Sequence, residues 1–119
     1  MIPERPDYKR HRLWEEAIRL AREAYGLAEQ LRADDPQGAL ALRKAAVAVP
    51  AYVAGALSAE QAAQREAEAS GARAALAAVA ARAEGMVWSA ASSDLLRRAR
   101  ELERSVTLEL ASREGGFVC

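Results

Sequence analysis

A chain of 119 residues is the size of one domain, and 17 lysines and arginines against 17 aspartates and glutamates leave no net charge to draw it to nucleic acid or an anionic membrane. Thirty alanines, no asparagine and only 5% aromatic residues favour helix and starve a β-sheet of branched and aromatic side chains. Cys119 is the only cysteine, which excludes a disulfide within the chain and fits a reducing cytoplasm.

From Met1 to Arg12 the chain is polar and charged, with none of the apolar core of a secretory signal. Pro3 and Pro6 keep this stretch extended, and helical periodicity begins near Tyr8. Leu13, Trp14, Ala17, Ile18, Ala21, Ala24, Tyr25, Ala28 and Leu31 fall on one broad stripe, so a first helix is expected over 8–32. Asp34-Asp35-Pro36 ends it and starts the next: an aspartate can accept from the free N–H groups of a helix whose first turn tolerates proline.

The second helix, expected over 36–56, carries only Arg43 and Lys44 as charges. Leu40, Val47 and Ala54 mark one face and Leu42, Val49 and Ala56 another, so the helix needs two apolar partners. Pro50 removes the hydrogen bond to the Ala46 carbonyl, which predicts a kink or a break. The longest uncharged run, Ala45 to Ala59, is shorter than the roughly 20 residues that span a bilayer, and a soluble protein without a membrane partner is expected.

Ser58-Ala59-Glu60-Gln61 has the spacing of a capping box and predicts a third helix over 59–84, closed by Gly85. Ala62, Ala69, Ala72, Leu76, Val79, Ala80 and Ala83 form its inward face. Ser92-Ser93-Asp94 offers a cap for a fourth helix over 93–113, with Leu95, Ala99, Leu102, Val106 and Leu110 inward and Gly115-Gly116 as its end. Four such helices joined by short connections predict an all-α fold, an antiparallel up-and-down four-helix bundle spanning residues 1–119 as one domain.

Two stretches carry a family resemblance. Tyr8 to Ala17, YKRHRLWEEA, and Leu42 to Ala54, LRKAAVAVPAYVA, resemble the first-helix opening and second-helix signature of bacterial four-helix-bundle proteins encoded in intervening sequences of 23S ribosomal RNA genes. The resemblance implies a homo-oligomer, often a ring-like pentamer, and a relation to nucleic-acid-binding accessory proteins of diversity-generating retroelements. The chain departs from the signature in its polar part: Ala48 stands for a serine, Tyr52 for an asparagine, Gly55 for a glutamate and Ala56 for a glycine. The likeness therefore speaks for fold and assembly more than for RNA binding.

Catalytic chemistry finds little to use. His11 is the only histidine, so neither a two-histidine zinc motif nor a paired Glu-x-x-His di-iron site can form in one chain, and no metal or cofactor is expected. It lies at the start of the first helix between Arg10 and Arg12, where it reads as solvated rather than as a phosphotransfer residue. Glu15 with Glu16, and Glu66 with Glu68, point apart on a helix and read as solvated faces rather than as an acid and base. No small-molecule substrate and no enzyme activity are expected.

Two binding readings remain. Arg5, Lys9, Arg10 and Arg12 with Tyr8 and Trp14, and separately Arg43 and Lys44, can grip phosphate and stack a base. Glu4, Asp7, Glu101 and Glu103 stand at helical spacing from the basic groups, including Arg97, Arg100 and Arg104, and can neutralise them instead. The uncharged second helix points to self-association, with Leu42, Val49, Tyr52, Val53 and Trp88 expected between copies and the aromatic side chains as anchors. The first expectation is thus a non-catalytic, self-assembling scaffold or adaptor; the alternative is a nucleic-acid accessory protein that gathers Lys9, Arg10, Arg12, Arg43 and Lys44 on one ring surface.

Overall fold

The computed structural model describes residues 8–86 and 89–111. Among them every regular element is helical: a single 3₁₀ turn at Tyr8–Arg10, then α1 (Arg12–Leu31), α2 (Pro36–Ser58), α3 (Ala62–Glu84) and α4 (Ala90–Val106), which runs into a π-helical turn at Thr107–Ala111. The four helices pack against one another in the cyclic order of the chain, α1 on α2 and α4, and α3 on α2 and α4. The all-helical class and the four helices are as the periodicity predicted.

Each helix start has a local cause. At α1 the cap is His11, whose imidazole Nδ1 accepts a hydrogen bond from the Leu13 N–H at 3.0 Å. The expected solvated histidine is therefore a capping residue, because the free N–H groups of the first turn need an acceptor. At α2, Asp35 Oδ1 accepts from the Gly38 N–H at 2.9 Å with Pro36 in the first turn, the arrangement expected from Asp-Asp-Pro. The chain leaves α3 at Gly85, as predicted.

Three sequence expectations are corrected. Of the kink or break expected at Pro50, the break is absent: α2 is continuous from Pro36 to Ser58 with the proline inside it. Ser58 does not cap α3. It is the last residue of α2, drawn into the helix behind Leu57, which packs on the core, and α3 starts after Gln61 with no side-chain cap. The cap of α4 is Ser89 rather than the Ser92 cluster, its Oγ accepting from the Ser92 N–H at 3.1 Å. Ser92 is fully buried instead, and its hydroxyl reaches the carbonyl oxygens of Met86 and Ser89 and ties the α3–α4 corner together.

Alanine is as common in the core as leucine and valine together. Leu13, Leu20, Leu42, Leu76, Leu95 and Val106 are fully buried and are interleaved with Ala17, Ala24, Ala46, Ala69, Ala72 and Ala99. Small side chains at these contacts let helix axes approach toward the lower end of the usual 8–10 Å. In α2 the buried set Ala39, Leu42, Ala46, Val49, Val53 and Ala56 follows alternating steps of three and four residues. Leu42, Val49 and Val53, expected at an interface between copies, are thus core residues of the single subunit, because their side of α2 is the one that meets α1 and α3.

Substitution should separate the two faces of α2. Leu42→Ala is expected to cost about 2–5 kcal/mol, the range for a buried leucine truncated in a packed core, whereas Leu40→Ala should stay within about 0.5 kcal/mol. Urea denaturation of dilute protein measures both, and equal losses would contradict the assigned inward and outward faces.

Candidate interaction surface

The outward faces of the four helices differ in chemistry. On α1 exposed Glu15, Arg19 and Arg22 meet solvent. On α4 Arg97 lies between Asp94 at 3.6 Å and Glu101 at 3.4 Å. Ion pairs also cross between helices, Arg98 to Glu23 at 3.1 Å and Arg100 to Glu84 at 3.7 Å. These are solvated faces of the ordinary kind, worth little individually because water screens them.

The outward face of α2 is unlike them. Leu40 is 49% exposed and Val47 47% exposed, with exposed Ala51 one turn further on. Gln37, Leu40, Lys44, Val47, Ala51, Ala54 and Ser58 repeat at alternating steps of three and four, so α2 carries a second seam opposite the one that fills the core. Lys44 is the only charge on it. By length and composition α2 is also the one helix among the described residues that could cross a membrane, with a mean hydropathy of 1.4 over its best window and 28% of that window buried. It reaches that length only by adding Arg43 and Lys44 to the uncharged run, which by itself is shorter than a span, as expected.

Beside that seam, Tyr52 is 39% exposed and lies across α3 at Gly71, where any Cβ would collide with its ring. The reciprocal contact is Glu68 across Gly55, whose added Cβ would stand 2.7 Å from the carboxylate. Absence of side chains at these two glycines lets α2 and α3 exchange one large group each and stay close. Tyr52 is therefore on the outside of the subunit, where an interface residue must be. Trp88, expected as the other anchor, lies outside the described residues, as do Cys119, Arg5 and the expected helix end at Arg113.

The basic residues singled out in the sequence do not converge. Arg12 is held between Glu16, at 2.9 Å, and Glu109 in the π-helical turn that follows α4. Hydrogen bonds to Glu16 and Glu109, reinforced by their charge, raise the pKa of its guanidinium further above the usual arginine value. Lys9 and Arg10 are exposed, and each already has an interaction of its own. Tyr8 and Trp14, the aromatic pair available for stacking, pack edge to face on each other with centroids 5.7 Å apart. Arg43 sits on the α1–α2 side, its guanidinium 4.9 Å from the centre of the Tyr25 ring, and its Nε is buried without a hydrogen-bond partner among the described residues. Lys44 points out from the α2 seam.

The carboxylate pairs are likewise dispersed: Glu16 turns to Arg12, Glu66 to Arg73 at 3.3 Å, and Glu68 to Gly55. Among the described residues no three His, Cys, Asp or Glu side chains gather in a way that could hold a metal ion. An open groove of about 720 Å³ lies between α3 and the end of α4, lined by Ala77, Ala80 and Ala81 on one side and Arg100, Arg104 and Leu108 on the other. Comparison of the chain with models of protein families, with curated proteins and with solved structures finds no match.

Because Arg12 is more than half exposed, Arg12→Ala should change stability by no more than about 1 kcal/mol. The change should shrink as salt rises toward about 1 M, where charges are screened within about 3 Å. Chemical denaturation at low and high salt reads this; a loss that persists undiminished in high salt would assign Arg12 a packing role instead.

Proposed function

We propose that the protein is a non-catalytic, self-assembling scaffold or adaptor of the cytoplasm, built as an antiparallel up-and-down bundle whose second helix supplies the contact between copies. The observation that carries the reading is the outward seam of α2: a helix of a lone bundle should turn a polar face to water, and this one turns Leu40, Val47 and Ala51. The alternating direction of the helices is supported by short connections and by the meeting of Arg12, at the start of α1, with Glu109, beyond the end of α4. The resemblance to proteins encoded in intervening sequences of 23S ribosomal RNA genes favours five copies as the assembly.

The seam differs from the sequence expectation in its members. Leu40, Val47 and Ala51, with Tyr52 at the edge, replace Leu42, Val49 and Val53. RNA contact through Lys9, Arg10, Arg12, Arg43 and Lys44 has weaker support. Arg12 has two carboxylate partners and Arg43 lies on an aromatic ring, so counterion release on binding phosphate has few free cations to work with.

Sedimentation velocity at micromolar concentration is the direct test. Wild-type protein is expected well above the 12.8 kDa of one chain, and Val47→Glu is expected at the monomer mass with its helical circular dichroism retained. A monomeric wild type refutes the reading.

A further inference from the structure

The outward seam of α2 is graded in size. Leu40, Lys44 and Val47 occupy its first half, and Ala51, Ala54 and Ser58 its second. The gradation is regular about the level of Val49: positions 40 and 58, 44 and 54, and 47 and 51 stand equally far on either side of it. A second α2 laid antiparallel across the seam, with a two-fold axis at that level, therefore meets each large side chain with a small one. Leu40 of one copy faces Ser58 of the other, Lys44 faces Ala54, and Val47 faces Ala51. A parallel pairing instead sets Leu40 on Leu40 and Lys44 on Lys44, crowding one end, leaving the other loose and opposing like charges.

The charges favour the antiparallel register independently. Lys44 is exposed and forms no ion pair or hydrogen bond with another side chain among the described residues. Arg43, the other cation of α2, lies on the Tyr25 ring at the α1 side and off the seam. Glu68 of α3 is half-buried, its carboxylate lies across Gly55 of α2, and it too has no ion pair among the described residues. Gly55 directly follows Ala54, so the antiparallel register brings Lys44 of one copy to within about one residue's rise, 1.5 Å, of the level of Gly55 in the other. At 3.6 residues per turn positions 44 and 55 are only about 20° apart around the helix, and an antiparallel two-fold axis keeps that side of one copy beside the same side of the other. Each lysine thus arrives at the carboxylate that lies on Gly55 of the second copy. The two lysines stand ten residues apart along the axis, about 15 Å, which is beyond the screening length of about 8 Å at physiological salt.

Resting on the self-assembly reading, we infer that two copies meet α2 on α2, antiparallel about a two-fold axis at the level of Val49, with Lys44 of each copy paired to Glu68 of the other. A contact of this kind uses one surface on both copies and closes at two. It departs from the five copies that the family resemblance favours, because a two-fold contact by itself builds no odd-numbered ring.

Charge exchange tests the pairing. Wild-type protein is expected to sediment at twice the 12.8 kDa of one chain. Lys44→Glu sets two carboxylates together at both ends of the contact and Glu68→Lys two ammonium groups, so each variant alone is expected to associate about tenfold or more weakly than wild type. An equimolar mixture of the two variants has opposite charges at both ends again, as does the double variant, and both are expected to recover wild-type association. Helical circular dichroism confirms folding of each. Should Glu68→Lys misfold, Glu68→Gln stands in for it and is expected to weaken association and to remove most of its salt dependence. Single variants that associate as tightly as wild type, or a mixture no tighter than its components, overturn the pairing. A wild type that assembles beyond two copies overturns the two-fold closure and leaves self-assembly standing, whereas a monomeric wild type overturns self-assembly and the pairing with it.

Discussion

A helix that is apolar on two opposite sides cannot be satisfied by a four-helix bundle, which covers one side only. In α2 the inward seam, Leu42, Ala46, Val49 and Val53, is fully removed from water, and the outward seam, Leu40, Val47 and Ala51, is not. At about 25 cal/mol for each Å² of apolar surface covered, the outward side chains represent a driving force that the single subunit leaves unused. The rest of the molecule is arranged around this helix. It makes the most extensive contact with α3, packs almost as broadly on α1, and its start and end are fixed by Asp35 and by the turn at Ala59.

Alanine sets the style of packing elsewhere. With small residues at most helix contacts the backbones lie close, and the few leucines serve as fillers between them. The consequence is a core with little mass per residue, so the corners matter more than they would in a leucine-rich bundle. His11, Asp35 and Ser89 each satisfy a first-turn N–H, and buried Ser92 links the end of α3 to the start of α4. α3 shows the other side of the same composition: alanine lies on nearly every side, and the charges it turns outward, Glu66, Arg82 and Glu84, stand beside a strip of exposed alanines.

Electrostatics shapes the remaining half of the surface. α1 and α4 are laced together and to their neighbours by Arg98 with Glu23, Arg100 with Glu84 and Arg12 with Glu109, so a chain of balanced charge neutralises much of it internally. That pairing explains why clusters that look phosphate-binding in the sequence are dispersed in space. It also concentrates uncharged surface on the α2–α3 side, where Tyr52 over Gly71 and Glu68 over Gly55 bring the two helices together.

Composition and periodicity alone determined the helical class, the number of helices, the inward face of α4, most of that of α3, an aspartate cap before Pro36 and the Gly85 stop, because these depend on spacing along a single helix; Tyr25 and Ala62, placed inward by the same spacing, are exposed, and the buried Leu20 and Leu27 lay off the α1 stripe. Composition and periodicity determined too that α2 has two apolar faces. Which of those faces is buried was beyond them, since the steps of three and four are equally regular through Leu42, Val49 and Val53 and through Leu40, Val47 and Ala51; only the positions of α1 and α3 break the tie. Local chemistry was ambiguous wherever several residues could serve: Ser89, Ser92 and Ser93 compete for one cap, and Ser58 looks like a cap until Leu57 is drawn onto the core. The fate of the arginines was settled by tertiary structure for the same reason, because a cation's partner is chosen by what a neighbouring helix brings within reach, as Glu109 reaches Arg12, and not by its neighbours in sequence.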